Sequence, residues 1–157
     1  MTKTRPERRR IRISADAYST PGAVFSVTVG TSPRREVFAD PEFGAECIEI
    51  LRRLRASEGN PTYAFCLMPD HAHLLVGVVE GSTLQDFVGR WKSLCFQAWR
   101  RRGRKQGFWQ RSFFDRAVRQ EANLRTTAWY ILQNPVRAGL TNAWTDYSLC
   151  GSLEFEF

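Results

Sequence analysis

Residues 62–79 constrain the fold more than any other stretch of the chain. They form two short runs rich in apolar and β-branched residues, 62–68 and 72–79, with Pro69-Asp70 as the connection between them. So short a link suits an antiparallel hairpin and is far too short for a crossover to a parallel strand. Pro69 has no N–H for a ladder, and Asp70 hydrogen-bonds readily into turns. On both sides of the hairpin the hydrophobic spacing changes from steps of two to steps of three and four. Upstream, Phe43, Cys47, Ile48, Leu51 and Leu54 predict an amphipathic helix over 41–56, stopped near Gly59-Asn60-Pro61. Downstream, Leu84, Phe87, Val88, Trp91, Leu94, Cys95 and Trp99 form the longest apolar stripe in the chain, behind a Gly81-Ser82-Thr83 cap.

A β-branched run at 23–29 precedes the first helix, 111–118 reads as a fourth strand, and 121–134 reads as a last helix before Pro135 and Gly139. The resulting order, β-α-β-β-α-β-α, predicts an α+β fold. Specifically, it predicts a ferredoxin-like split βαβ arrangement, with a mostly antiparallel four-stranded sheet covered by helices. The chain divides into a basic arm at 1–20, one folded domain at 21–140 and a tail at 141–157 that reads as irregular. Its 157 residues fit one domain, and a hydrophobic fraction of 43% allows a core without staples. Cys47, Cys66, Cys95 and Cys150 form no CxxC pair, so they read as small buried hydrophobes, which excludes a disulfide framework or a zinc site. The arginine-rich start has no apolar segment behind it and no apolar run reaches spanning length; the expected location is the cytoplasm, with no membrane partner.

Charge supplies the first functional direction. Lys plus Arg number 23 against 16 acidic residues, a formal +7 with a pI near 9.7. Seven basic residues fall within 90–105, six within the first 12 positions, and none from Thr141 onward. An excess this uneven points to a polyanion, most simply nucleic acid, although solvated faces on a basic protein fit the charge equally well. The expected phosphate contacts are Arg8, Arg9, Arg10, Arg12, Arg90, Lys92, Arg100, Arg101, Arg102, Arg104, Lys105, Arg111 and Arg137. Among the aromatic side chains, Trp91, Trp109 and Trp129 are candidates for stacking on bases, with most such rings assigned to the core.

The whole histidine content of the chain is His71 and His73, in Met68-Pro69-Asp70-His71-Ala72-His73-Leu74-Leu75-Val76. Residues two apart on a strand share a face, so both imidazoles project together while Ala72 turns into the opposite face. Two imidazoles hold a transition metal and leave positions open for oxygen ligands; a chance pair satisfied by neighbouring carbonyls is the plain alternative. By the same alternation Asp70 points away from the pair. On the last helix, Asn123, Thr127, Tyr130 and Asn134 recur at steps of four, three and four, so Tyr130 and Asn134 share one flank. A phenol beside an amide that can ligate a metal suits nucleophilic chemistry. A boundary tyrosine, and an asparagine capping a turn that starts with Pro135, fit the same spacing.

Taken together these segments resemble the single-tyrosine HUH transposases, and most closely the REP-associated tyrosine transposases of bacteria. The resemblance rests on Met68–Val76, on Phe108-Trp109-Gln110-Arg111 with Phe114-Asp115-Arg116, and on Tyr130-Ile131-Leu132-Gln133-Asn134-Pro135-Val136-Arg137-Ala138-Gly139-Leu140. It implies that 21–140 is a catalytic domain that binds single-stranded hairpin DNA. It also implies that His71, His73 and Asn134 hold one Mg²⁺ or Mn²⁺, that Tyr130 attacks phosphorus to give a 5′-phosphotyrosine link, and that Gln133 or Asp115 orients a ligand or the phenol. A monomer or a homodimer at the bacterial nucleoid fits equally. Ala72 stands where the family has a bulky apolar residue, which implies a small packing defect. The rivals are a domesticated DNA or RNA hairpin binder that does not cut, and a phosphoesterase that uses water.

Overall fold

The computed structural model describes residues 15–32, 35–119 and 121–157. Arg8, Arg9, Arg10 and Arg12, expected to contact phosphates, lie outside the described residues. Five antiparallel strands among the described residues form one sheet: β1 (Val24–Gly30), β2 (Thr62–Met68), β3 (His71–Gly77), β4 (Phe114–Val118) and β5 (Cys150–Gly151), in the order β4-β1-β3-β2-β5. The first four strands are the expected split βαβ: β1 and β2 flank β3, and the helix between them crosses one face. Among the described residues four α-helices accompany the sheet: α1 (Pro41–Glu58), α2 (Leu84–Arg101), α3 (Glu121–Leu132) and the single turn α4 (Asn134–Arg137).

Local chemistry sets the helix limits. The Asp40 carboxylate accepts from the backbone of Glu42 and Phe43 at 3.0 and 3.3 Å, with Pro41 in the first turn of α1. Gly59, at φ 82°, ends that helix by donating to the Arg55 carbonyl, two residues later than the spacing predicts. Thr83 caps α2 by accepting from Asp86 N at 3.0 Å. The predicted last helix is split in two, because α3 stops at Leu132 and the chain restarts as α4 from Asn134. Pro135 cannot donate into a continuous ladder.

Alternation along the strands builds two unlike faces. Phe25, Val27, Val29, Phe65, Leu67, Ala72, Leu74 and Val76 pack with the apolar stripes of α1 and α2 in the main core. Ala72 is fully buried there, on the side expected for it. The opposite face carries Ala64, Cys66, Met68 and Leu75 against Ala128 and Ile131 of α3. The same face carries Thr28, His71 and His73, because the ladder sets His73 opposite both Thr28 and Cys66.

Two sequence readings change. The fourth strand begins at Phe114, three residues late, since 111–113 belong to the loop that brings Trp109 against Thr31. The tail after residue 140 is not irregular: it supplies β5 and makes the sheet five-stranded, not four-stranded. Leu149 enters the main core beside Gly44, where a Cβ would meet Leu149 Cδ1 at 2.5 Å. The Tyr147 hydroxyl donates to the Leu67 carbonyl at 2.6 Å, and Glu154 pairs with Arg55. Among the described residues no helix is long and apolar enough to cross a membrane.

Candidate active site

β3 starts at His71, so both histidines stand on regular strand and their rings leave the same face of the sheet. The rings meet edge to face, centroids 4.8 Å apart, with the two Nε2 atoms 3.1 Å from each other. Each far nitrogen has its own partner. Asp70 Oδ1 accepts from His71 Nδ1 at 2.7 Å, and Thr28 Oγ1 lies 3.2 Å from His73 Nδ1. A carboxylate on Nδ1–H leaves the Nε2 of His71 as a lone pair aimed at His73. Burial pushes the His73 imidazole down to about 4, with the neighbouring His71 and the Arg137 guanidinium adding to the effect, so it is neutral at pH 7.

Such a pair fits a divalent ion. Metal–nitrogen bonds of about 2.1 Å meeting at roughly 90° set their nitrogens about 3 Å apart, which is the observed spacing. Among the described residues no three His, Cys, Asp or Glu side chains are placed to hold one ion together, so further ligands to such an ion would be neutral oxygens, solvent or substrate. The pocket around the imidazoles holds about 240 Å³ and is lined by Thr28, Gly30, Thr31, Asp70, Gln110 and Phe114 besides the histidines. That is smaller than the ~300–1,000 Å³ of sites that enclose a whole small molecule. It suits one part of a polymer.

Tyr130 lies on the outer flank of α3 and is 62% exposed. The Arg137 guanidinium lies over its ring, 3.7 Å from the centroid. Asn134 opens α4, and its Nδ2 donates to the Ile131 carbonyl at 2.9 Å, which leaves the amide oxygen as the group available to a ligand. Neither side chain lines the pocket of the imidazole pair, so the structure brings the histidines together and sets Tyr130 and Asn134 beside them as a separate group. Arg137 joins the two groups electrically, since its charge acts on His73 while its ring contact is with Tyr130. Gln133 sits half-buried between α3 and α4 and makes no capping bond.

Asp115 has a different place. Its register opposite Val27 turns it to the α1 and α2 face, away from the imidazoles, where it hydrogen-bonds Tyr18. Several expected phosphate contacts are engaged within the chain. Arg90 pairs with Glu58, Arg101 and Arg102 both pair with Glu46, and Lys92 donates to the Gln110 carbonyl at 2.7 Å. Arg104 stacks over Trp99 at 5.0 Å, whereas Arg100, Lys105 and Arg111 are exposed. Trp91 is fully buried and donates to the Cys47 carbonyl, so it is a core residue; Trp129 is 47% exposed.

Sequence reasoning missed Asp70, Thr28 and Gln110. Alternation turns Asp70 away only if it lies on the strand, and it lies in the turn before it, where its side chain is free to reach back to His71. Thr28 is visible only through cross-strand register. Gln110 packs its amide against Gly30, close enough that a Cβ there would meet its Oε1 at 2.8 Å.

Residues 23–134 match the family model described as Transposase IS200 like. A REP-associated tyrosine transposase of Escherichia coli K12 is 28% identical over 132 residues, covering 83% of this chain and 76% of that protein. A Haemophilus influenzae protein carrying the same family name is 30% identical over 97 residues; the match spans 55% of each chain, only about half the length of that relative. Among solved structures, a REP-associated tyrosine transposase bound to a REP hairpin aligns with a TM-score of 0.67 at 22% identity, over 96% of this chain and 82% of that one. A transposase-like protein from Deinococcus radiodurans R1 aligns at 0.52, again with 22% identity, over 71% and 90% of the two chains. With more than half of its residues matching the family model, on the sheet order and site just described, the chain belongs to the IS200-like transposase family.

Proposed function

We propose that this protein is a metal-dependent nickase and strand transferase for single-stranded hairpin DNA, working through a covalent 5′-phosphotyrosine. The observation that carries the reading is the Nε2 pair of His71 and His73, 3.1 Å apart and backed by Asp70 and Thr28. Nothing in the packing of the sheet demands that two buried-side imidazoles face one another. An ion between them gives the arrangement a purpose. That a relative of this fold was solved on a REP hairpin supports hairpin DNA as the substrate class.

His71 and His73 would hold Mg²⁺ or Mn²⁺, with Asn134 Oδ1 as the third protein ligand. Such an ion supplies Lewis-acid withdrawal of charge from the non-bridging phosphate oxygens. Asp70 fixes the His71 tautomer and Thr28 steadies His73. Tyr130 Oη attacks phosphorus in line; the new bond is tyrosyl O–P, the P–O3′ bond breaks, and the 3′ oxygen leaves as a hydroxyl after taking a proton. The phenolic proton passes to solvent, to which Tyr130 is open. Because one phosphodiester replaces another, the 3′-hydroxyl of a second strand end can reverse the step without ATP.

The test is a denaturing gel of protein incubated with Mn²⁺ and hairpin oligonucleotides drawn from the flanks of its own gene. A protein–DNA adduct that needs metal, and is lost in Tyr130→Phe and in His71→Ala, is the expected result. Binding without adduct would identify a hairpin binder that does not cut. Metal-dependent cleavage that survives Tyr130→Phe would make water the nucleophile.

A further inference from the structure

The cations that the sequence marks most strongly, at 90–105, lie on or beyond α2, which covers the sheet face opposite the imidazoles. Several of them are paired with Glu46 and Glu58. The imidazole face has its own, less conspicuous set. β4 is the edge strand next to β1, and its register sets Phe114 opposite Thr28, which in turn stands opposite His73. Phe114, Thr28 and His73 therefore form one row across three strands on one face. At about 4.8 Å per strand, Phe114 stands roughly 10 Å from His73 along that row.

Phe114 is 72% exposed although it lies on a strand, and its ring forms a wall of the imidazole pocket. A bare phenyl ring on an edge strand forgoes burial and invites pairing with other chains. An exposed ring on the wall of the imidazole pocket suits the π-face of a base. Arg116, two residues on, shares that face, and the register sets it opposite Ser26. Beyond it opens a second cleft of about 440 Å³ between β4 and α3, whose lining includes Arg116, Arg119, Asn123 and Thr127. Both arginines are exposed, and among the described residues neither is in an ion pair. Two guanidinium forks with an amide and a hydroxyl are a donor set for phosphate oxygens.

We propose that the single strand adjoining the cleaved phosphate runs along β4, stacking one base on Phe114 and seating the next phosphate between Arg116 and Arg119 in the β4–α3 cleft. The proposal rests on the reading of the protein as a single-stranded DNA enzyme. It adds a path, with its two kinds of contact, that runs away from the imidazole pair on the same sheet face. Asn123 and Thr127 complete the seat as neutral donors, on the flank of α3 that also carries Tyr130.

The experiment uses hairpin oligonucleotides from the flanks of the gene with 2-aminopurine, or an abasic sugar, scanned through the single-stranded arm, read by fluorescence and by adduct yield. One position should stack in the wild type and lose that signal in Phe114→Ala, with binding weakened about 5- to 100-fold. Phe114→Trp should keep both. An abasic sugar at that position should weaken the wild type by the same factor and leave Phe114→Ala unchanged. Arg116→Ala with Arg119→Ala should lower the slope of log affinity against log salt by about 0.7 for each phosphate contact removed. If Phe114→Ala and the double variant bind as the wild type does while adducts still form, the path along β4 is wrong and the nickase reading stands. A slope that falls only on replacing Arg100 and Arg104 would route the strand over α2 instead. A wild type that binds none of these DNAs would overturn both.

Discussion

Arg137 lies over the ring of Tyr130, its guanidinium carbon 3.7 Å from the ring centroid, while its Nη2 donates to the Tyr130 carbonyl at 2.8 Å. Both residues belong to the motif that begins at Tyr130, yet they sit on different helical turns, α3 and α4, and the break at Gln133 brings them together. The same guanidinium is close enough to His73 to disfavour its protonation. One cation thus holds the proposed nucleophile and reaches electrically toward the proposed metal ligands. As a stabilising contact it is small, since an exposed cation–π pair contributes about 0.5–1 kcal/mol.

The consequence is a variant that folds normally and reacts poorly. Arg137→Ala should leave the melting temperature within about 3 °C of the wild type. It should slow adduct formation on hairpin DNA by about 10- to 100-fold, because the fixed positive charge beside the proposed nucleophile is lost. Arg137→Lys should recover only part of the rate, since an ammonium keeps the charge but not the planar fork that covers the ring. Single-turnover adduct kinetics beside thermal melts decide it; a Tm loss that scales with the rate loss would mean the residue merely holds the helices together.

Asp70 offers a test of the proposed metal centre that leaves both proposed histidine ligands in place. Its carboxylate holds His71 Nδ1 at 2.7 Å, so Asp70→Asn removes the charge while keeping the shape. Mn²⁺ affinity, measured by calorimetry on the DNA-free protein, should drop about 10- to 100-fold, the usual cost of losing such a partner. His73→Ala should abolish Mn²⁺ binding in the same measurement. Unchanged affinity in Asp70→Asn would mean that the hydrogen bond orients nothing that matters to the ion.

Much of this was legible in the residues, and the parts that were not share a cause. The hairpin at Pro69-Asp70, the α2 stripe and the two-residue spacing of the histidines are local patterns, and each one survives in the structure with small shifts at its ends. Cross-strand register is not local. Thr28 next to His73, Asp115 turned to the Tyr18 side, and Phe114 in the wall of the pocket all follow from which residue faces which across the ladder, and periodicity within one segment carries no such information. The tail failed for a related reason. Cys150-Gly151 is too short a strand to show alternation, and its place at the β2 edge depends on Tyr147, Leu149 and Glu154 finding partners 80 or more residues earlier.

That tail should be a structural necessity. Leu149 is 5% exposed, in the main core over Gly44, and truncating it leaves a hole the helix backbone cannot fill. Leu149→Ala should cost about 2–5 kcal/mol and lower the melting temperature by roughly 5–15 °C. Urea denaturation followed by tryptophan fluorescence measures it. A loss under about 0.5 kcal/mol, the range of ordinary surface changes, would show that β5 is dispensable.

Tyr147 makes the same dependence visible through pH. Its hydroxyl donates to the Leu67 carbonyl at 2.6 Å, and burial pushes its pKa up to about 12, with the Cys66 and Cys150 thiols contributing. A tyrosine in the unfolded chain ionises near 10. The folded state therefore keeps this proton when the unfolded state has released it, so unfolding is favoured as pH rises. The stability from this group is complete below pH ~10 and is lost progressively as pH climbs from there toward ~12. Other phenols and the lysines titrate in the same window, so the comparison that isolates Tyr147 is wild type against Tyr147→Phe. The variant should be less stable at pH 8, where the hydroxyl's bond to Leu67 is intact in the wild type, and the gap should close as pH rises through the window. Chemical denaturation at pH 8, 10 and 11 is sufficient to read it. A gap that stays constant would mean the phenol ionises alike in the folded and unfolded chain, so that its burial against β2 does not hold the proton on.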